Sequence, residues 1–327
     1  MTVVEKIAAE APASITVLDS AGVDRKQGVN LDDRLRDIPG FSLFRRSSSL
    51  TAHPTAQGVS MRGLGASGAS RTLLLWDGVP VNDPFGGWVY WTRFAPDDVD
   101  RVEVSRGAST GVFGDRAMGG AIALFSRQPQ RWRAEANYEG GSHNSHLAGG
   151  GLSHLTSRWA ASARTRAFST DGYFTVPAEL RGAADRKAGV DFVAGAASLD
   201  LFGAAQRFFL KVDALAEQRS NGTVLQRNST GLGTVSGHYF LERGADSLSL
   251  LGYHTREEFR STFSAVSASR NFERPTFRQS VPAEGTGAAA RWNRRASRWN
   301  SLAGADVAFA EGYSRDTLVP TGQRLGG

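Results

Sequence analysis

The chain has 327 residues, no cysteine, and 38 basic against 32 acidic residues, which gives a net charge of +6 at pH 7. The length is enough for about two domains, the missing cysteines exclude disulfides and thiolate metal sites, and the basic residues are too dispersed to form the stripe that binds nucleic acid. No window holds the roughly 18 consecutive apolar residues of a membrane-spanning helix, but strands that cross a membrane need only about 9 to 11 alternating residues.

The N-terminal stretch MTVVEKIAAEAPASITVLD lacks the basic segment and apolar core of a secretion signal. We therefore expect either a protein that is not exported or a sequence that begins after its signal. Residues 15–18 predict a strand. Asn30 predicts the N-cap of a helix that ends at Pro39-Gly40, and its apolar face consists of Leu31, Leu35 and Ile38.

The next segment contains Gly63, Gly65 and Gly68 in the order G-x-G-x-x-G, the spacing of a dinucleotide-binding loop. That loop requires a helix at the third glycine. Residues 72–76 instead read TLLLW, a buried strand that ends at the turn dipeptide Asp77-Gly78. A dinucleotide-binding enzyme is therefore the weakest hypothesis, and without a Ser/His/Asp set or paired carboxylates the sequence predicts no enzyme.

Residues 1–129 read as one mixed domain of short elements. After the turn, strands are predicted at 79–81, 101–105 and 121–125, with a short turn or helix at 96–99 and a tight turn at 117–120.

From about residue 130 the pattern changes to strict alternation. Trp132, Ala134, Ala136 and Tyr138 share one face of a strand, and the residues between them are polar. The segments around 159–168, 207–217 and 299–309 repeat this pattern. A soluble β-sandwich also alternates. Aromatic residues at the strand ends and full charges on the opposite faces favour a membrane barrel with a wet interior.

Five blocks of the first half resemble the plug domain of TonB-dependent outer-membrane receptors. The blocks are IPGFSL (38–43), VSMRGLG (59–65), RTLLLWDGVPVND (71–83), DVDRVEVSRGAST (98–110) and VFGDRAMGGAIALFSR (112–127). The resemblance implies an α+β plug domain over residues 1–129. It also implies antiparallel transmembrane β-barrel strands over residues 130–327.

Barrels of that family have 22 strands, whereas about 200 residues supply roughly eight to ten. The chain also ends VPTGQRLGG, without the family's terminal aromatic strand. We therefore expect an incomplete barrel and a truncated or fragmentary chain.

The resemblance also assigns roles to single residues. It implies that Arg62 and Arg106 pair with acidic residues on the inner barrel wall through charge-assisted hydrogen bonds, although both could simply face solvent. The structural motif of the plug comprises Gly63, Asp77, Gly78, Gly107, Gly114, Gly119 and Gly120. Among these, Asp77-Gly78 predicts a hairpin turn with positive φ, and Gly119 and Gly120 predict a close approach to a neighbouring backbone.

The function implied by the resemblance is energy-coupled uptake of a scarce ligand such as a ferric siderophore or cobalamin. Thr2, Val3, Val4 and Glu5 resemble the TonB box, on which the inner-membrane protein TonB pulls after pairing with it as an added strand. A four-residue apolar match also arises by chance. The implied partners are TonB, outer-membrane lipid and a small metal chelate or vitamin, with no cofactor. The alternative is a soluble plug-like binding module without transport activity.

Two further groups of residues are candidates for ligand contacts. Phe85, Trp88, Tyr90 and Trp91 lie in one loop and could form a ligand-stacking apex, but packing inside the plug is slightly favoured because large aromatic residues are mostly structural. His143, His146 and His154 show no consistent ligand spacing, so no metal site is predicted.

Overall fold

The computed structural model describes residues 14–320 except 44, 46, 62–69 and 108–114. The chain divides into two units, Met1–Gln128 and Pro129–Gly327. Within the described segments, no helix is both long and apolar enough to cross a membrane.

The first unit consists of short strands and two short helices. In chain order these are β1 (Ser14–Asp19), α1 (Ser20–Asp24), α2 (Leu31–Leu35), β2 (Phe41–Leu43), β3 (Val59–Met61), β4 (Thr72–Trp76), β5 (Val79–Pro80), β6 (Val99–Arg106) and β7 (Gly120–Ser126). Five of the strands form one sheet in the order β1-β6-β7-β4-β5, and β2 pairs with β3 separately. Among the described strand pairs, only β4 and β7 run parallel.

The parallel pair β4 and β7 forms the centre of this unit. All five residues of β4 and the first five of β7 are buried, the continuous apolar character expected of strands that are covered on both faces. Their side chains join one apolar cluster, which consists of Leu73, Leu75, Ala117, Ala121 and Ala123 with Phe125 packed against it. This cluster fixes the position of the hairpin that follows β4.

The predicted helix after Asn30 is present, and Asn30 is its N-cap residue as predicted, but its side chain makes no capping hydrogen bond. The side-chain amide instead donates to Ser49 Oγ at 2.9 Å. The helix ends at Leu35, one turn earlier than expected. The sequence analysis also missed α1, which is capped by the Asp19 carboxylate accepting from the Gly22 amide at 2.7 Å.

The second unit is a single antiparallel sheet. Its strands are β8 (Trp132–Gly141), β9 (Ser145–Leu155), β10 (Trp159–Ser169), β11 (Asp185–Phe202), β12 (Gln206–Thr223), β13 (Arg227–Arg243), β14 (Asp246–Val266), β15 (Glu273–Arg295), β16 (Asn300–Gly312) and β17 (Arg315–Leu318). Each strand from β8 to β16 pairs with its neighbour in sequence, and β17 pairs with β15 beyond the end of β16.

The predicted fold class is confirmed: an α+β plug domain is followed by antiparallel strands of a partial barrel. Ten strands in the described part of the second unit agree with the expected eight to ten. Their lengths were underestimated, because β11 to β15 have 17 to 23 residues instead of about 10. These strands continue beyond their apolar residues into segments that are polar on both faces, and there the hydropathy pattern does not show that the strand goes on.

The two ends of this sheet have different connections. At one end, here called the short-turn end, the connections are residues 156–158, 203–205, 244–245 and 296–299. At the other, the long-loop end, they include residues 170–184 and 267–272. Outer-membrane barrels have short turns on the periplasmic side and longer loops on the extracellular side.

Candidate functional site

The plug hairpin after β4 is tied to the end of β7. Asp77 and Gly78 have φ of 50° and 85°, the positive values that the predicted type of turn requires. The Asp77 carboxylate accepts from the Ser126 amide at 2.8 Å and from the Ser126 hydroxyl at 2.6 Å. The Trp76 indole donates to the same hydroxyl at 2.9 Å. Asp77 therefore fastens the turn to a strand 49 residues further along the chain.

The glycine pair before β7 lies against neighbouring backbone. Gly120 has φ of +127°, and a Cβ added there would be 2.5 Å from the carbonyl oxygen of Ser105. Only glycine fits such a position. The preceding Gly119 donates its amide to the carbonyl of Arg71 at 2.8 Å, and Gly107, with φ of 99°, follows the end of β6.

Arg106 ends β6 and makes its hydrogen bonds inside the first unit. One guanidinium nitrogen donates to the Pro39 carbonyl at 3.4 Å, and another donates to Thr16 Oγ1. Its Nε has no hydrogen-bond partner among the described residues. Pairing of Arg106 with a barrel acid stays a prediction. Several other predicted residues lie outside the described part of the chain: Arg62, Gly63, Gly65, Gly68, Gly114 and the TonB-box candidates Thr2, Val3, Val4 and Glu5.

The aromatic loop after β5 is mostly part of the plug core. Trp88, Tyr90 and Trp91 are buried; Trp91 packs edge-on against Phe41, with ring centroids 6.3 Å apart. Phe85 is the exception, with 49% of its surface exposed. Its amide donates to the Asp83 carboxylate at 2.9 Å, which orders the tip of the loop. Of the four aromatic candidates in this loop, Phe85 is therefore the exposed one.

A buried ionic network that the sequence analysis missed joins α2 to the segment after β2. The Asp32 carboxylate is fully buried, forms an ion pair with Arg45 and accepts from Ser49 Oγ at 2.9 Å. Burial raises the pKa of Asp32 to about 6, and the nearby Arg45 guanidinium opposes that rise. Gln57 closes the network by donating to the carbonyls of Ser49 and Ala52 at 3.3 and 3.0 Å.

One face of the barrel sheet, here called the polar face, carries charge pairs along its strands. Three carboxylates bond to arginines on this face: Glu135 to Arg133 and Arg164, Asp200 to Arg207 at 2.6 Å, and Glu217 to Arg219 at 2.8 Å. Arginine and carboxylate pairs of this kind form strong charge-assisted hydrogen bonds. A wall lined in this way suits a water-filled interior.

The opposite side, the apolar face, has mostly small or apolar residues on β8 to β13, whereas β14 to β16 also carry Arg256, Glu258, Glu284 and Glu311 on this face. Trp132 and Tyr138 on β8 are 72% and 67% exposed, and Phe208, Leu210 and Val212 on β12 are exposed as well. At the short-turn end, Trp159, Trp292 and Trp299 continue the aromatic row. The predicted division of these strands into two faces is therefore confirmed. Such a face is typical of strands that contact lipid.

The connections at the long-loop end are joined by ionic hydrogen bonds. Arg270 donates Nε to both carboxylate oxygens of Asp185 at 2.9 Å, and this bond keeps the pKa of Asp185 low, at about 2. Glu273 accepts from Thr223 Oγ1 at 2.5 Å and from the Leu225 amide at 3.0 Å. The loops before β11 and after β14 are thereby held over the β12–β13 turn. No local sequence pattern predicts these pairs.

The three histidines near the first barrel hairpin contact aromatic and polar neighbours. His146 Nδ1 lies 2.6 Å from the Tyr138 hydroxyl, His143 packs beside Tyr173, and His154 lies between Trp132 and Trp159. Among the residues that the structure describes, no three histidine or carboxylate side chains lie close enough together to hold a metal ion.

Comparison with known proteins gives a family match for the first unit. Residues 8–121 match the model of the TonB-dependent Receptor Plug Domain. The ferric enterobactin receptor PirA of Pseudomonas aeruginosa is 29% identical over 128 residues, an alignment that covers 35% of this chain and 16% of that receptor.

Solved structures match nearly the whole chain in fold. The ferric citrate transporter FecA superposes with a TM-score of 0.73 at 15% identity, covering 96% of this chain and 50% of FecA. The siderophore receptor PirA from Acinetobacter baumannii gives 0.65 at 13% identity, with coverage of 93% and 48%. The chain therefore spans about half the length of the solved receptors it matches. At these identities the likeness shows the fold alone.

Proposed function

Because residues 8–121 belong to the TonB-dependent receptor plug domain family and the strands after them have the barrel fold of those receptors, we propose that the chain acts in outer-membrane uptake. In this proposal it is the plug and barrel part of a receptor that binds a scarce ligand outside the cell and imports it with energy supplied by TonB. Thr2, Val3, Val4 and Glu5 are the proposed TonB box.

The observation that carries the proposal is the combination of the two units. A plug domain is joined directly to a sheet with one face apolar between aromatic ends and the other lined with ion pairs. The apolar face suits contact with lipid, and the polar face suits a wet lumen. A soluble plug-like module would have no use for ten strands with lipid-facing side chains.

The ligand class is proposed from the relatives. The similar receptors are named for ferric enterobactin and ferric citrate, so a ferric siderophore is the leading ligand and cobalamin the second. Phe85 is the proposed ligand-contacting residue of the plug, because its ring is exposed on a loop tip ordered by Asp83.

The test is complementation of a Gram-negative strain that lacks its own iron-siderophore receptors. The chain is expressed behind a secretion signal, and outer membranes are separated from soluble protein. Uptake of radioactive iron as ferric enterobactin, ferric citrate or free iron is compared with uptake of labelled cobalamin, with and without TonB. We expect the chain in the outer-membrane fraction. We expect TonB-dependent uptake of one chelate from a version extended to a full barrel, because the ten described strands alone leave the sheet open at both edges.

Replacing residues 2–5 with glycine and serine should abolish that uptake, whereas the same replacement of residues 9–12 should leave it unchanged. Recovery of the chain only as soluble protein would refute the proposal and favour the binding module. Membrane insertion of the extended version without uptake of any of these ligands would refute the transport part.

A further inference from the structure

The apolar face of the barrel sheet ends in a group of arginines at the long-loop end. On β12 the apolar residues of this face extend to Ala216 and are followed by Gln218 and Ser220. On β13 the corresponding residues run from Tyr239 to Gly231, and Ser229 and Arg227 come next. On these two strands the face therefore changes from apolar to polar within one pair of residues. On β14 and β15 the charged residues Arg256, Glu258 and Glu284 come before the arginines on the same face.

The strand register brings the polar residues together in two rows. In the first row, Gln218 pairs with Ser229, Ser229 with Arg260, Arg260 with Ser280 and Ser280 with Arg315. In the second row, Ser220 pairs with Arg227, and Thr262 pairs with Arg278 and Arg278 with Thr317. We call Arg227, Arg260, Arg278 and Arg315 the arginine patch.

All four arginines of the patch are exposed. Because side chains on one face of adjacent strands are about 5 Å apart, Arg227 and Arg278 lie roughly 10 Å apart on either side of Thr262. That spacing is within reach of two long side chains that converge on one bound group. Hydroxyl groups fill the positions between them, namely Ser220, Ser229, Thr262, Ser280 and Thr317.

The patch has more positive than negative charge. Arg260 forms an ion pair with Glu258 at 2.5 Å. Arg315 donates to the Tyr313 hydroxyl at 2.7 Å. Within the described segments, Arg227 and Arg278 have no acidic partner. Two guanidinium groups are thus left to bind an external anion.

We infer that the arginine patch binds the phosphate groups of lipid headgroups in the outer leaflet of the membrane. The inference rests on the proposed outer-membrane location. On β12 and β13 the patch follows the apolar residues directly, at the end assigned to the extracellular side, and this is the level of the headgroups. Arginine binds phosphate through two parallel hydrogen bonds, and basic side chains at a membrane surface attract anionic lipids.

The experiment uses the full chain in detergent micelles that contain either bisphosphorylated lipid A or the same lipid with both phosphates removed. Retention of lipid with the protein is measured by size exclusion, at low and at high salt. The test variant is Arg227→Gln/Arg278→Gln. The matched control is Arg158→Gln/Arg243→Gln, which removes two exposed arginines from the short-turn end. Circular dichroism of the strands shows that each variant is folded.

We expect the wild-type chain and the control to retain the phosphorylated lipid and release it as salt rises. The test variant should bind it about 25-fold more weakly, about fivefold for each arginine. Equal binding of the two lipids by the wild-type chain would overturn the inference, as would an equal loss in test and control variants. If inorganic phosphate at millimolar concentration displaces the lipid completely, the site binds free phosphate instead and the inference also fails.

This experiment does not depend on transport. Lipid binding that requires Arg227 and Arg278 in a chain that imports nothing would support the patch and contradict the proposed uptake. Uptake by a chain whose lipid binding ignores these arginines would support the proposed uptake and contradict the patch.

Discussion

Replacing Arg45 with methionine should make the stability of the plug depend on pH in a range where the wild-type chain is insensitive. Asp32 is fully buried beside Arg45, and its pKa is raised to about 6 from an ordinary 3.8. When the pKa of a carboxyl group is higher in the folded chain than in the unfolded chain, the folded state loses stability as pH rises from the lower pKa to the higher one. Above the higher pKa the stability no longer changes with pH. In the wild-type chain this loss is about 3 kcal/mol, at 1.36 kcal/mol per unit, and is complete near pH 6.

Without Arg45, burial acts on Asp32 unopposed, and the pKa of the carboxyl should rise further. The variant then continues to lose stability above pH 6. Each further unit by which the pKa of Asp32 rises makes the opening equilibrium about tenfold more favourable at pH values above the new pKa. Lost packing of the Arg45 side chain would also destabilise the plug, but equally at each pH.

The assay is hydrogen exchange of the full chain followed by mass spectrometry of peptides that cover residues 28–36 and 47–57. Rates at pH 6.5 and pH 8 are corrected for intrinsic exchange. The control is Lys26→Met, which removes the basic partner of Asp37; that pair is 3.0 Å apart, and Asp37 is 80% exposed. An exposed pair should show no pH-dependent difference. If Arg45→Met loses the same protection at both pH values, the reasoning about burial of Asp32 is wrong.

Three further predictions concern the hairpins and the loops. Gly120→Val should destabilise the plug by more than about 2 kcal/mol in thermal unfolding, because of its positive φ and the carbonyl 2.5 Å from the new Cβ. Asp77→Ala should destabilise it by about 1 to 2 kcal/mol, through the lost bonds to Ser126. In the wild-type chain, protection from hydrogen exchange around Asp185 should decrease as pH falls from 4 to 2, and Arg270→Gln should make this decrease smaller. The depressed pKa of Asp185, about 2, gives stability above pH 4 that disappears toward pH 2.

Each of these has a control within the chain. Gly231→Val adds the same side chain where nothing lies within 4 Å and should leave unfolding nearly unchanged. Asp77→Gly keeps the backbone conformation but removes the bonds, so a variant as stable as the wild type would show that the bonds contribute little. Arg186→Gln removes a nearby arginine whose side-chain hydrogen bonds go to the backbone carbonyls of Ala183 and Asp185. If it alters the acid response as much as Arg270→Gln, the assignment to Asp185 fails.

Features that depend on nearby residues could be predicted from the sequence. Asp77 and Gly78 tolerate positive φ, so this dipeptide predicts its own turn. Because successive side chains of a strand point to opposite faces, the alternation from Trp132 to Tyr138 predicts which residues share a face. The five plug blocks predict the fold of the first unit only in combination, because each block corresponds to one short element. The predicted N-cap position of Asn30 is correct, but the contact between its side chain and the distant Ser49 could not be predicted from local sequence.

The ionic networks could not be predicted, because their members are far apart in sequence. Asp32 and Arg45 are 13 residues apart, and Asp185 and Arg270 are 85 apart. Which arginine meets which carboxylate depends on strand register and on loop packing, and 38 basic residues allow many pairings. The length of β11 to β15 was hidden as well, because a ladder whose two faces are both polar has no hydrophobic period.

In the proposed receptor, these long strands affect how the protein can change over evolution. β14 has 21 residues, about 70 Å of backbone, of which a membrane crossing uses only about ten residues. More than half of the strand therefore lies outside the hydrocarbon layer. There the strand is held by backbone hydrogen bonds to its neighbours, which do not depend on the identity of its side chains. Substitutions there can alter one surface of the wall at alternate positions while backbone and register stay the same. New binding preferences can thus arise by single replacements, without the insertions and refolding that flexible loops require.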